Sequence, residues 1–227
     1  MSPDLSSWNL SPEELDGYPW VVLRVSTSGL MGGVNYKQAF DSSHACVTCG
    51  AGAVPTPTLV ANLNNMGRKK LDRTAHEGLF VISADFAQAL RSSDLTGFTI
   101  SAVQHYATRH DDTRFFWLRI VSEWPQMHPR RIVTIDDPCP ICQRAGHFDS
   151  LKRTTDFWYH NAPSSACDFN LTWEYFGMWR LRRHSTSSIS VGGKQMPILS
   201  RRARMFLRQH KVKHISFDPI FFESTVT

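Results

Sequence analysis

A chain of 227 residues with 41% hydrophobic and 20% charged residues, including 14 Phe and 7 Trp, has the composition of a compact globular protein and excludes extensive disorder. The apolar runs at 20–23 and 115–118 fall far short of the roughly 20 residues that cross a bilayer as a helix. A net charge of +5 and a pI near 9.1 admit an acidic protein, a nucleic acid or an anionic surface as partner and select none of them.

The first residues, Met1-Ser-Pro-Asp-Leu-Ser-Ser-Trp8, show neither the basic nor the apolar region of a secretory signal, so the expected location is the cytoplasm. Ser11-Pro12-Glu13-Glu14 places Ser at the N-cap, Pro at N1 and Glu at N3 of a short helix. A strand is predicted at 20–25, and Gly29, Gly32 and Gly33 then interrupt the pattern before a first cysteine pair carried on a turn. The stretch 51–58 holds two prolines and one glycine, residues that do not continue a helix, and reads as a loop.

Residues 80–91 and 197–208 can be superposed so that Ser83 falls on Ser200. At that offset Leu90 meets Leu207, Arg91 meets Arg208, Leu95 meets Val212, Phe98 meets Ile215, Ile100 meets Phe217 and Val103 meets Ile220. Each copy reads as an apolar strand, a Ser N-cap, a helix of two to three turns and an alternating strand, with units near 78–104 and 195–222. Between them, 114–121 is rich in aromatic and branched residues and is expected to be a central strand. A Pro-rich stretch at 124–129 precedes the second cysteine pair, the runs at 168–177 and 178–182 are strand-like, and 185–193 is a loop. The fold class that results is α+β, mostly strands with short helices, in one globular domain over 1–227.

Five cysteines include two Cys-x-x-Cys pairs, Cys46/Cys49 and Cys139/Cys142, in knuckles near 44–50 and 137–147. A two-residue gap lets one tight turn aim two thiolates at the same ion, and two such turns complete the tetrahedron of a structural zinc site. The expected cofactor is therefore one zinc ion in a zinc-ribbon-like clamp that ties the chain before the first unit to the chain after it. Four sulfurs leave no position for water, so this zinc rigidifies rather than catalyses. His44 and His147 flank the pairs as substitute ligands, and Cys167 stands apart as a bystander. No His-Glu-x-x-His, phosphate loop or nucleophile elbow can be read, the polar stretch from His105 to Asp112 reads as a solvated loop, and no enzyme is expected.

The paired motifs and the C-terminal run from Ile198 to Phe217 resemble the double-CxxCG-motif immunity proteins of bacterial toxin–immunity systems. The first motif is complete as Cys46-Val-Thr-Cys49-Gly50, whereas the second carries Gln143 in the glycine position. The resemblance implies a cytoplasmic inhibitor that binds and neutralises a cognate toxin by occlusion. Trp173, Tyr175, Phe176, Trp179 and Arg180 form the densest aromatic and Arg group and are the candidate partner anchors. The alternative function is a zinc-ribbon-like nucleic-acid binder with phosphate contacts from Arg68, Lys69, Lys70, Arg130 and Arg131.

Overall fold

The structure, a computed structural model, describes residues 10–25, 40–56, 58–63, 66–67, 69–73, 79–105, 108, 110–128, 138–147, 157–176 and 194–223. Helix α1 (Pro12–Asp16) begins as its sequence requires: the Ser11 hydroxyl accepts from the Glu14 N–H at 3.2 Å, and the Glu14 carboxylate accepts from the Ser11 N–H at 2.7 Å. This reciprocal pair satisfies two amide donors that a helix start leaves open. Strand β1 (Trp20–Val25) follows, then short strands β2 (Phe40–Asp41), β3 (Val54–Pro55), β4 (Leu59–Ala61) and β5 (Leu71–Arg73). Next come β6 (Phe80–Ser83), α2 (Ala84–Arg91), β7 (Phe98–His105) and β8 (Asp111–Ile120). The second half holds β9 (Ala145–His147), β10 (Phe157–Tyr159), β11 (Phe169–Leu171), β12 (Tyr175–Phe176), β13 (Pro197–Ser200), α3 (Arg201–Gln209) and β14 (Ile215–Phe222). The described residues are thus mostly strand with a few short helices, an α+β arrangement.

Two five-stranded sheets carry the fold, in the orders β4-β7-β8-β6-β5 and β10-β14-β1-β13-β11. They have the same plan. In each, the outer strand of one edge runs parallel to its neighbour and every other pairing is antiparallel. In each, a strand, a capped helix and a second strand form a split unit with one antiparallel strand inserted between its two strands. Ser83 caps α2 by accepting from the Phe86 N–H at 3.4 Å, and Ser200 caps α3 by accepting from the Ala203 N–H at 3.1 Å.

The match extends to individual pairings. Ser83 lies opposite Phe115 and Ser200 opposite Trp20; Ile100 lies opposite Leu118 and Phe217 opposite Leu23. Positions of the strand–helix–strand copies therefore correspond at the offset that superposes Ser83 on Ser200, and residues 115–120 of β8 correspond one for one to β1. The edge strands extend the likeness beyond the sequence repeat. Leu59 pairs with Val103 as Phe157 pairs with Ile220, and Leu71 pairs with Ile82 as Phe169 pairs with Leu199. The central strand of the second sheet is supplied from the N-terminal part of the chain, a swap of chain order that leaves the pairing intact.

Burial repeats in the same way. Val21, Leu23 and Val25 of β1, Leu199 of β13 and Leu207 of α3 share one core with Leu71, Phe80, Ile82 and Leu118 of the first sheet and Leu90 of α2. The helices meet in this core through the Phe86 and Phe206 rings, 5.9 Å apart. The opposite face of each sheet has its own cluster: Leu59, Val81, Val103 and Trp117 on the first, and Phe157, Ile198, Ile220 and Val22 on the second. Strands buried on both faces need apolar residues at successive positions, which is why the runs at 20–25 and 115–120 do not alternate in polarity. The expected central strand starts earlier than its apolar run: Asp111 and Asp112 belong to β8, because Asp111 pairs with Gln104 and Asp112 with Val103. The hairpin tip is correspondingly shorter than the solvated loop expected from His105 to Asp112.

Candidate metal centre

One cysteine knuckle precedes the strands of the first sheet, the other precedes every strand of the second sheet except β1, and the two knuckles meet. Cys46 Sγ lies 3.8 Å from Cys139 Sγ and Cys49 Sγ lies 3.4 Å from Cys142 Sγ, each pair 93 positions apart in sequence. All four sulfurs fall within 4.8 Å of one another. A tetrahedral ion with metal–sulfur bonds of about 2.3 Å places its sulfurs about 3.8 Å apart, so these four are close enough to hold one metal ion. Disulfides, at about 2.05 Å, would be far shorter.

Local backbone turns position the thiols. In the first knuckle the Gly50 N–H donates to the Cys46 carbonyl at 2.7 Å and the Cys46 N–H donates to Ala51 O at 2.8 Å. In the second the Gln143 N–H donates to Cys139 O at 3.0 Å and the Cys139 N–H donates to Ala145 O at 2.8 Å. Gly50 and Gln143 occupy the same place and both have positive φ, 75° and 61°. The departure from glycine noted in the sequence therefore falls on a left-handed residue, where a side chain is strained. The second knuckle is one residue longer before its buried alanine, the extra residue being Arg144. Cys49, Ala51, Cys139, Ala145 and Tyr175 pack into a small cluster around the sulfurs.

The thiols differ in environment. Burial alone raises the Cys46 thiol, but the amides of Cys49 and Thr48 donate to its sulfur and bring it down to about 7. Burial pushes the Cys49 and Cys142 thiols up, opposed by the amides of Ala51 and Arg144 respectively. A divalent cation bound among the four sulfurs would offset this cost and hold them as thiolates. His44 is exposed and outside the cluster, and the His147 side chain lies outside the described residues. Cys167 is also apart; its N–H donates to Asn170 Oδ1 at 3.0 Å.

The candidate partner anchors have internal uses. Tyr175 is buried, and its hydroxyl accepts from the Gly52 N–H at 3.0 Å, tying the second half of the chain to the first knuckle. Phe176 is buried against Phe157 on the outer face of the second sheet. Trp173 is half-buried, and the Arg144 guanidinium lies 5.1 Å from its ring and 5.2 Å from that of Tyr175. Tyr175 and Phe176 are thus buried in the chain, and the aromatic density around them packs against Arg144 and the sheet. Trp179 and Arg180 lie outside the described residues.

Two features of this region carry no motif. At the knuckle tips, Val47 is 96% exposed and Ile141 is 67% exposed, aliphatic side chains that each stand between two thiols in sequence. Further along, Glu174 is buried and burial raises its carboxyl to about 7, although the Met127 N–H donates to Oε1 at 2.7 Å. Its Oε2, the Tyr159 hydroxyl and the Trp124 indole N–H are buried without a hydrogen-bond partner. A buried acid in the short segment between β11 and β12 leaves no periodic signal in sequence. Comparison with known proteins finds no family model and no curated protein that matches the chain.

Proposed function

We propose that the protein is a cytoplasmic immunity protein that binds and neutralises a cognate bacterial toxin by protein–protein occlusion, stabilised by one zinc ion on Cys46, Cys49, Cys139 and Cys142. The observation that carries this reading is the four-thiol cluster. Its ligand set is closed, which suits a structural ion, and the two Cys-x-x-Cys pairs that form it are motifs on which the resemblance to double-CxxCG-motif immunity proteins rests. Four thiolates in a tetrahedron favour zinc among the common divalent ions. The ion would not enter a chemical step; it would fix the two knuckles against each other so that Val47 and Ile141 are presented on a rigid surface. Exposed aliphatics on a rigid base lose little entropy on docking.

Nucleic-acid binding is favoured less by the geometry. Lys69 pairs with Asp72 at 2.9 Å, the Lys70 ammonium donates to His210 O at 2.7 Å, and Arg202 pairs with Asp94 at 2.6 Å. Arg68, Arg130 and Arg131 lie outside the described residues. The test is capture of a protein partner from the native host with wild type and with Val47→Glu and Ile141→Glu. A stable partner held by wild type and lost from both variants, with zinc content unchanged, supports the reading. Recovery of no partner, together with DNA or RNA binding that weakens steeply with salt, would replace it.

A further inference from the structure

One end of the second sheet gathers two imidazoles and a carboxylate. Strands β10 and β14 run parallel with Tyr159 opposite Phe222, and the ladder continues one step as the Glu223 N–H donates to Tyr159 O at 2.9 Å. His160 and Glu223, the residues that leave these two strands, emerge side by side. His128 is held alongside because its own N–H donates to Trp158 O at 2.8 Å. Backbone hydrogen bonds thus set the positions of Glu223 and His128, and His160 directly follows the paired Tyr159. Glu223 Oε2 lies 3.1 Å from His128 Nε2 and 3.0 Å from His160 Nδ1, and the imidazole centroids are 4.2 Å apart.

We infer that His128, His160 and Glu223 form a second metal site, which takes one divalent transition-metal ion, with zinc the expected occupant. Ligand atoms around a tetrahedral zinc with bonds of about 2.0 Å lie about 3.3 Å apart, and the two oxygen–nitrogen edges are already close to that length. All three ligand atoms fall within 4.8 Å of one another, so the remaining edge closes by rotation of the His160 side chain, which is 65% exposed. His128, by contrast, is buried and fixes the inner corner of the site. Two imidazoles and one carboxylate select zinc, nickel or copper over magnesium and calcium, which prefer oxygen alone.

The site differs in kind from the four-thiol cluster. Three protein ligands leave a fourth position for water or an incoming donor, the arrangement of an open rather than a closed zinc. Nor does the repeated fold require it. By the edge-strand pairings, His160 corresponds to Asn62 and Glu223 to position 106, a Tyr, so the first sheet folds on the same plan without these ligands. A carboxylate that only accepted hydrogen bonds from two imidazoles would show similar spacing, and metal uptake separates the two cases.

The experiment uses the full-length protein equilibrated with excess zinc, then freed of unbound metal and assayed for zinc per chain by mass spectrometry. Wild type, His160→Ala, Glu223→Gln and Cys46→Ser are compared. Removing either ligand of the open site should lower zinc content by one ion per chain relative to wild type, with affinity there weakened at least about tenfold. His160 and Glu223 are partly exposed, so both variants should keep the thermal midpoint of the zinc-free protein. Cys46→Ser should retain the ion that these variants lose, which separates this site from the thiol cluster. Equal zinc content in wild type, His160→Ala and Glu223→Gln would overturn the assignment and leave Glu223 as a hydrogen-bond acceptor.

Discussion

The two sheets reach one plan by different chain routes. The first closes locally, with β7 and β8 joined by a hairpin in which Gln104 pairs with Asp111. The second places β1 between β13 and β14, so that Val25 pairs with Ile215 across most of the chain. Loop-closure entropy grows as the logarithm of loop length, and the longer closure costs about 3 kcal/mol more by that scaling. Pairing register and face burial define this fold, and chain order is secondary to them. The cysteine knuckles gain importance from the same comparison, since a bond between them, spanning 93 positions, shortens the loop that β1 closes with β13 and β14.

The sharpest way to break the equivalence is at the seam between the halves. Gly97 and His214 hold corresponding places before β7 and β14, and both have positive φ, 92° and 61°. Only Gly97 is crowded: a Cβ there would stand 2.0 Å from Phe169 O and 2.6 Å from Cys167 Cβ. Gly97→Ala should therefore cost about 3–5 kcal/mol through backbone strain plus overlap, whereas the exposed His214 already carries a β-carbon, so His214→Ala adds no overlap and should cost well below that, about 1 kcal/mol. Urea denaturation of both variants checks the contrast, and similar losses at the two positions would contradict it.

A second contrast concerns the segment between β11 and β13, which is much longer than the link between β5 and β6 and brings in Glu174. The Glu174 carboxyl titrates at about 7 in the fold against 4.5 ordinarily. A raised value means that its contribution to stability is whole below about 4.5 and is lost as pH rises through about 7. The loss is on the order of 3 kcal/mol. Glu174→Gln should match wild type near pH 5 and exceed it at pH 8, and an unchanged difference between the two pH values in denaturant titrations would refute the buried-acid reading.

Much of this plan was legible in the residues. The capping serines at 83 and 200, the apolar runs at 20–25 and 115–120, and the Cys-x-x-Cys spacing each encode a local physical demand, and each lies where the sequence places it. The edge strands β4, β5, β10 and β11 have three residues apiece, too few for a period to register. Their equivalence appears only through their partners. The burial of Tyr175 and Phe176 was not legible for a related reason: composition reports aromatic density but not the direction in which rings point.

The smallest expected effect distinguishes the knuckles. Gly50→Ala should cost about 1–2 kcal/mol because a Cβ is introduced at a φ of 75°. Gln143→Gly should gain up to about 1 kcal/mol by relieving the same conformation. Thermal unfolding of the metal-loaded proteins checks both signs, and a loss in Gln143→Gly would mean that the side chain's own contacts outweigh the strain.

The central claim is that an ion held by four thiols clamps two halves of one plan, and it is tested most directly by zinc content and thermal midpoint together. Wild type, Cys46→Ser, Cys139→Ser and Cys167→Ser are compared with and without chelator. The clamp predicts that Cys46→Ser and Cys139→Ser each lose the thiol-bound zinc and melt lower than wild type, that chelator lowers the wild-type midpoint in the same direction, and that Cys167→Ser does neither. Full zinc occupancy in Cys46→Ser, or a wild-type midpoint unmoved after all zinc is removed, would contradict it.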